Sequence, residues 1–138
     1  MTTMRERVEN LGIDLEVTDG PNLERDESGW EHHAYTVTLT YADRGDEGTP
    51  TGFLTVPWRQ GLGITDDPDA VSVLDALASD AATVENARSF EEWADELGYD
   101  PDSRKAERIY RQVEEQAAAL RDFLGEDFDS VVWETDRL

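Results

Sequence analysis

Residues 89–112, SFEEWADELGYDPDSRKAERIYRQ, decide the fold of the C-terminal half, because nearly every position carries a helix-start, helix-stop or packing signal. Ser89 and Glu92 have the spacing of a capping box, in which the hydroxyl accepts an orphan backbone N–H of the first turn. Phe90, Trp93, Ala94 and Leu97 recur at helical spacing and give a short helix one apolar side. Gly98 stands where a left-handed residue ends a helix without a Cβ penalty. The elbow YDPDS leads into a longer helix, predicted over residues 103–124 and stopped by Gly125. Its stripe is Ala106, Ile109, Tyr110, Val113, Ala117, Leu120 and Phe123 or Leu124, and Glu107 and Arg111 form a favourable i, i+4 pair.

Moving upstream, Asp67 and Pro68 read as the N-cap and first position of another helix, predicted over residues 68–84. Val71, Leu74, Leu77, Ala78, Ala81 and Val84 form its apolar stripe. Downstream, FDSVVW at residues 128–133 fits a short helix or an edge strand. The N-terminal half reads as β. Ile13, Leu15 and Val17 alternate with acids and Thr18, a short half-buried strand, and the turn-rich segment TDGPNLERDESG follows. In HAYTVTLTY, residues 33–41, His33, Tyr35, Val37, Leu39 and Tyr41 share one face of a strand, and alanine and threonines take the other. The loop ADRGDEGTP, residues 42–50, leads to TGFLTVPW, a strand expected to pair with it. Pro57 ends that ladder or places it at an edge.

These elements predict a single α+β domain over residues 1–138: a small antiparallel sheet of about three strands packed against about three α-helices. Residues 1–60 are mainly β, 67–125 mainly α, and 126–138 a short last element. A chain of 138 residues with 38% hydrophobic content can bury a core, with Trp30, Trp58, Trp93 and Trp133 as anchors. No run approaches the roughly 20 apolar residues of a membrane span, and the charged first ten residues do not read as a signal peptide. With no cysteine, disulfides and thiolate sites are excluded. A cytoplasmic protein is expected.

Charge is the dominant compositional feature. Thirty-three acids face twelve bases, of which only Lys105 is lysine, for a net charge of -21. The acids are spread along the chain. Their mutual repulsion is screened in molar salt, where the Debye length is about 3 Å. This Asp-rich, Lys-poor composition resembles the cytoplasmic proteins of salt-accumulating haloarchaea. Direct nucleic-acid binding is disfavoured, since a field of this sign repels phosphates.

The chemical motifs fail one by one. A calcium loop starting at Asp100 has Asp102 in its third place, but Arg104, Lys105 and Arg111 where an oxygen ligand, glycine and a bidentate glutamate are needed. GLGITD, residues 61–66, begins like a dinucleotide loop, yet Asp66, Asp67 and Asp69 would meet the pyrophosphate. His32 and His33 are neighbours in a strand and point to opposite faces, so they cannot chelate one ion. No catalytic, cofactor-binding or metal-binding residue is assigned, and no cofactor is expected. The elbow cluster Tyr99, Asp100, Asp102, Ser103, Arg104 and Lys105 is the first interaction candidate. Trp58 with Arg59, after Pro57, is the second.

The pattern carried by Asp80-Ala81, Ser89, Phe90, Trp93, Gly98, Tyr99, Asp100, Asp102, Ser103, Arg104, Lys105, Ala106 and Phe123-Leu124-Gly125 resembles a family of small uncharacterised phage and prophage proteins. The resemblance spans about residues 35–125. It implies a viral or proviral origin and no catalytic residue. The expected function is a non-enzymatic accessory protein of a halophile that binds an unknown host or viral protein. One alternative is a DNA mimic, with Glu91, Glu92, Asp95, Glu96, Glu107, Glu114, Glu115 and Asp122 imitating phosphates. The other is a small enzyme using His32 or His33.

Overall fold

The computed structural model describes residues 2–41 and 52–136. In chain order the elements are β1 (Thr2–Thr3), α1 (Met4–Leu11), β2 (Ile13–Arg25), β3 (Glu31–Tyr41), β4 (Phe53–Gly61), α2 (Ala70–Asn86), α3 (Phe90–Glu96), α4 (Arg104–Leu124), α5 (Phe128–Trp133) and β5 (Thr135–Asp136). A turn of 3-10 helix, Gly125–Asp127, joins α4 to α5. The protein is α+β. It gathers into two compact units, Arg5–Val73 and Met1–Met4 with Leu74–Leu138. No helix among the described residues is long and apolar enough to cross a membrane.

The first unit is built on an antiparallel sheet in the order β2-β3-β4. Its register sets Ile13 against Tyr41, Leu15 against Leu39 and Val17 against Val37, and β4 continues these rows with Leu54, Val56 and Trp58. One face is therefore apolar, and Val37 and Leu39 are wholly buried. The other face carries Thr36, Thr38 and Thr40, with Thr38 and Thr55 joined hydroxyl to hydroxyl at 2.8 Å. Period-two alternation alone explains this division.

Two sequence expectations change here, and the alternative left open at Pro57 is decided. β2 does not stop near Val17: it runs to Arg25, and two register shifts, between Val17 and Asp19 and between Asp19 and Asn22, carry it past Gly20-Pro21. Bulges of this kind let a strand absorb a breaker while staying paired. β4 likewise passes Pro57, opposite Thr36, and ends at Gly61, so the proline marks an edge strand. Finally, the charged start MRERVENL forms α1. The loop expected over residues 42–50 lies outside the described residues.

α2, which belongs to the second unit from Leu74 onward, begins at Ala70 because Asp69, not Asp67, caps it: Asp69 Oδ1 accepts the Ser72 N–H at 2.7 Å. Val73, Leu74, Leu77, Ala78 and Ala81 are its buried positions. α3 and α4 follow the expected spans, and Ser89 Oγ and Ser103 Oγ accept the N–H of Glu92 and Ala106. Arg121 on α4 pairs with Glu85 on α2 at 2.7 Å, and its guanidinium lies 4.1 Å from the Phe128 ring centroid. FDSVVW resolves as helix and buries Phe128, Val131 and Val132. β1 and β5 add a two-residue parallel pairing.

Of the four tryptophans expected as anchors, Trp93 is 2% exposed, whereas Trp30 is 75% and Trp133 45% exposed. Trp58 lies between these extremes.

Gly20 is where the backbone leaves least room. Its φ is +107°, and a Cβ there would sit 2.5 Å from the Ala34 carbonyl oxygen. Gly29 also has positive φ but faces open space. Gly20→Ala should cost about 3 kcal/mol, combining strain with overpacking, and Gly29→Ala only about 1 kcal/mol. Chemical denaturation of the two variants checks the difference.

Candidate functional site

The elbow after α3 is accounted for by backbone hydrogen bonding. Gly98, at φ +76°, gives its N–H to the Asp95 carbonyl, and Tyr99 gives its N–H to Ala94 at 2.7 Å. This is the Schellman arrangement, which leaves the residue after glycine packed against the last helical turn. The Tyr99 ring accordingly stacks on Trp93, with centroids 5.3 Å apart and planes 9° apart. Asp100 Oδ1 accepts the Asp102 N–H at 2.9 Å, and the Asp100 carbonyl accepts the Ser103 N–H. Ser103 then caps α4. Four of the six elbow candidates, Tyr99, Asp100, Asp102 and Ser103, thus make the turn between two helices. Leu97, expected on the buried side, is exposed.

Phe90 and Tyr110 complete the aromatic group, with Tyr110 5.1 Å from Trp93 and 5.3 Å from Phe90. Burial, then the nearby Glu114 carboxylate, pushes the Tyr110 phenol above its ordinary range. The Trp93 indole N–H donates to Thr83 Oγ1 at 3.2 Å. Arg104 and Lys105 are the elbow candidates that no capping duty explains. Both are exposed at the start of α4.

The second candidate pair separates. Trp58 lies on the apolar face opposite Tyr35, and its indole N–H reaches Gln60 Oε1 at 3.2 Å. Gln60 in turn donates to the Asp66 carbonyl at 2.9 Å, which ties the loop after β4 to the sheet. Trp58 therefore has a structural partner. Arg59 is exposed on the opposite face, against Ala34.

His32 and His33 do take opposite faces. His32 Nε2 lies 3.6 Å from Glu24 Oε1, within ion-pair reach but too far for a hydrogen bond, and it has no hydrogen-bond partner among the described residues. His33 stands between Leu23 and Gln60 on the other face. Among the described residues, no group of His, Asp or Glu side chains is placed to hold a metal ion.

A surface missed in the sequence lies at the end of the sheet where β2 turns into β3. The Asp26 carbonyl accepts the Gly29 N–H, and the Asp26 N–H donates to the Trp30 carbonyl at 2.9 Å. Asp26 Oδ1 also accepts the N–H groups of Ser28 and Trp30, at 2.8 and 3.0 Å. With Gly29 at φ +88°, this is the three-residue hairpin loop with a left-handed glycine. Arg25 and Glu31 close it with a 2.9 Å ion pair. The loop holds the Trp30 backbone firmly and leaves its side chain 75% exposed. At the same end of the sheet, Leu23 is 65% exposed, and Leu62 and Ile64, just beyond β4, are exposed too. The signal available in the sequence was the D-x-x-G spacing before Trp30, a turn signature.

No family model, no curated protein and no solved structure matches the chain.

If the elbow serves folding, its substitutions should change stability in proportion to these contacts. Ser103→Ala should lose about 1 kcal/mol from the cap, and Tyr99→Ala about 1 kcal/mol from the ring stack, while Tyr99→Phe stays near wild type. Thermal and chemical unfolding of the three variants measures this.

Proposed function

We propose that the protein is a non-catalytic binding protein that engages a protein partner through the apolar end of its sheet. The observation that supports this most is Trp30. A large aromatic side chain standing in water is costly to leave uncovered, and one on a rigid turn loses little entropy on binding. Tryptophan is also the residue type most enriched at interface hot spots. Leu23, Leu62 and Ile64 are further exposed apolar side chains at this end of the sheet. Glu24, Asp26 and Glu31 lie beside Trp30 on the hairpin, a rim suited to a partner with basic residues around an apolar pocket.

The proposed setting is a virus or provirus of a halophile, the partner being a host or viral protein. The proviral part rests on the SFEEW and GYDPDSRKA segments and the halophilic part on the net charge of -21. The DNA-mimic alternative draws less support. Arg104, Arg108 and Arg111 occupy the N-terminal half of α4 and leave Glu114, Glu115 and Asp122 to its C-terminal half, so that helix offers no acidic row along its whole length. The enzyme alternative would rest on a single histidine near Glu24.

Two measurements test the reading. Trp30→Ala should leave the unfolding midpoint within about 0.5 kcal/mol of wild type, as an exposed position does, yet weaken capture of the partner at least about tenfold. Capture from a halophile lysate in molar KCl, compared between the two proteins, reads this directly; equal recovery would exclude the sheet end. Separately, thermal stability should rise steeply between dilute and molar KCl as self-repulsion is screened, and a flat response would remove the halophilic setting.

A further inference from the structure

The centre of the solvent face of α4 carries its charges against the helix dipole, although Glu107 in the first turn and Arg121 in the last follow it. That centre is the exposed stripe Arg104, Arg108, Arg111, Glu115, Ala118 and Asp122, directly opposite the side that buries Ala106, Ala117, Leu120 and Leu124. The charges on this stripe are segregated. Its N-terminal half is basic and its C-terminal half acidic, and Lys105 adds a further cation beside Arg104. That is the reverse of what the helix dipole favours, since cations are disfavoured at the first turn and anions at the last. In a chain with only twelve bases against thirty-three acids, four of them fall within residues 104–111. Arg111 pairs with Glu107 at 2.6 Å, and Arg104 has no ion-pair partner among the described residues.

We infer that this face is the site where a second copy of the chain docks, with two α4 helices antiparallel about a two-fold axis at the level of Val113. Such an axis brings each position to the one whose number completes the same sum. Arg104 then faces Asp122 of the partner copy, Arg111 faces Glu115, and Arg108 faces Ala118, whose small side chain leaves room for the arginine stem. Each oppositely charged pairing occurs twice by symmetry, as an isologous interface requires. The reversed charge order, unfavourable for an isolated helix, becomes complementary in this arrangement, because each basic half meets an acidic half. The inference is independent of the sheet end, which lies on other elements.

The repulsion between two copies of net charge -21 opposes association at low salt. At about 0.5 M KCl the Debye length is about 4 Å, which screens remote charges while contact pairs persist. Sedimentation equilibrium under that condition should show a concentration-dependent dimer. Arg104→Glu with Arg111→Glu, and separately Glu115→Arg with Asp122→Arg, should each weaken self-association at least about tenfold. An equimolar mixture of the two double variants should associate as a heterodimer, because one then presents an acidic stripe and the other a basic one. Circular dichroism establishes that each variant folds; if a double variant does not, Arg104→Glu and Asp122→Arg replace it. A wild-type monomer at every concentration would overturn the inference. So would a dimer that charge reversal leaves intact, or folded variants that fail to associate on mixing.

Discussion

Burial of the Trp93 indole organises the helical unit. The side chain is 2% exposed, so its one polar atom must find a partner inside the protein, and Thr83 on α2 supplies it. Its ring faces meet Phe90 one turn earlier on α3, Tyr110 on α4 and Tyr99 in the elbow. Every connection in this part of the chain thereby terminates on one residue. The left-handed Gly98 is needed because the chain must reverse at once for Tyr99 to return to that ring. Asp100 and Ser103 then restart the chain as α4 in the direction that brings Tyr110 to the cluster. Capping and aromatic packing are one constraint seen from the backbone and from the side chains. That is why the segment reads as so fully specified without holding a reactive group.

The sheet unit solves a different problem. Its apolar face is continuous because three strands share one register, and the polar face can be threonine-rich because water satisfies it. The end at the β2–β3 hairpin departs from this economy. There the chain invests in Asp26 and Gly29, an ion pair between Arg25 and Glu31, and a fixed turn, yet the residue held most firmly, Trp30, buries little of itself. That turn closes the β2–β3 hairpin and at the same time leaves the indole exposed.

Much of this was legible in advance, for identifiable reasons. The strand over residues 33–41 and the helix over residues 103–124 were readable because long, regular periodicity leaves one interpretation. The caps at Ser89 and Gly98 were readable because each rests on local chemistry, whereas Ser103, read as the first helical residue, is the N-cap. Where the reading failed, several local signals competed. Asp67 and Asp69 are equally good caps, and only the position of the first helical turn distinguishes them. Gly20-Pro21 is a valid breaker that two register shifts circumvent, a long-range solution that no window around it contains. α1 has few apolar residues in a charged octapeptide, so its pattern was too sparse to register. Trp30 reads as an anchor because large aromatics usually are buried, but exposure is a property of the assembled sheet, not of the sequence around it.

The charge pattern requires the same separation of causes. A net charge of -21 spread over all regions carries no positional information. Positional information resides in the bases, which are few enough for their placement to be meaningful. Arg25, Arg121 and Arg111 each answer a specific carboxylate, Glu31, Glu85 and Glu107. Arg104 caps nothing, opposes the dipole at the first turn, lies away from the buried side of α4 and has no ion-pair partner among the described residues. Local rules broken without local compensation are expected where a surface is shaped for something outside the fold. Within residues 89–112, capping and packing account for the elbow and for Ala106 and Tyr110, whereas Arg104 stands exposed at the start of α4.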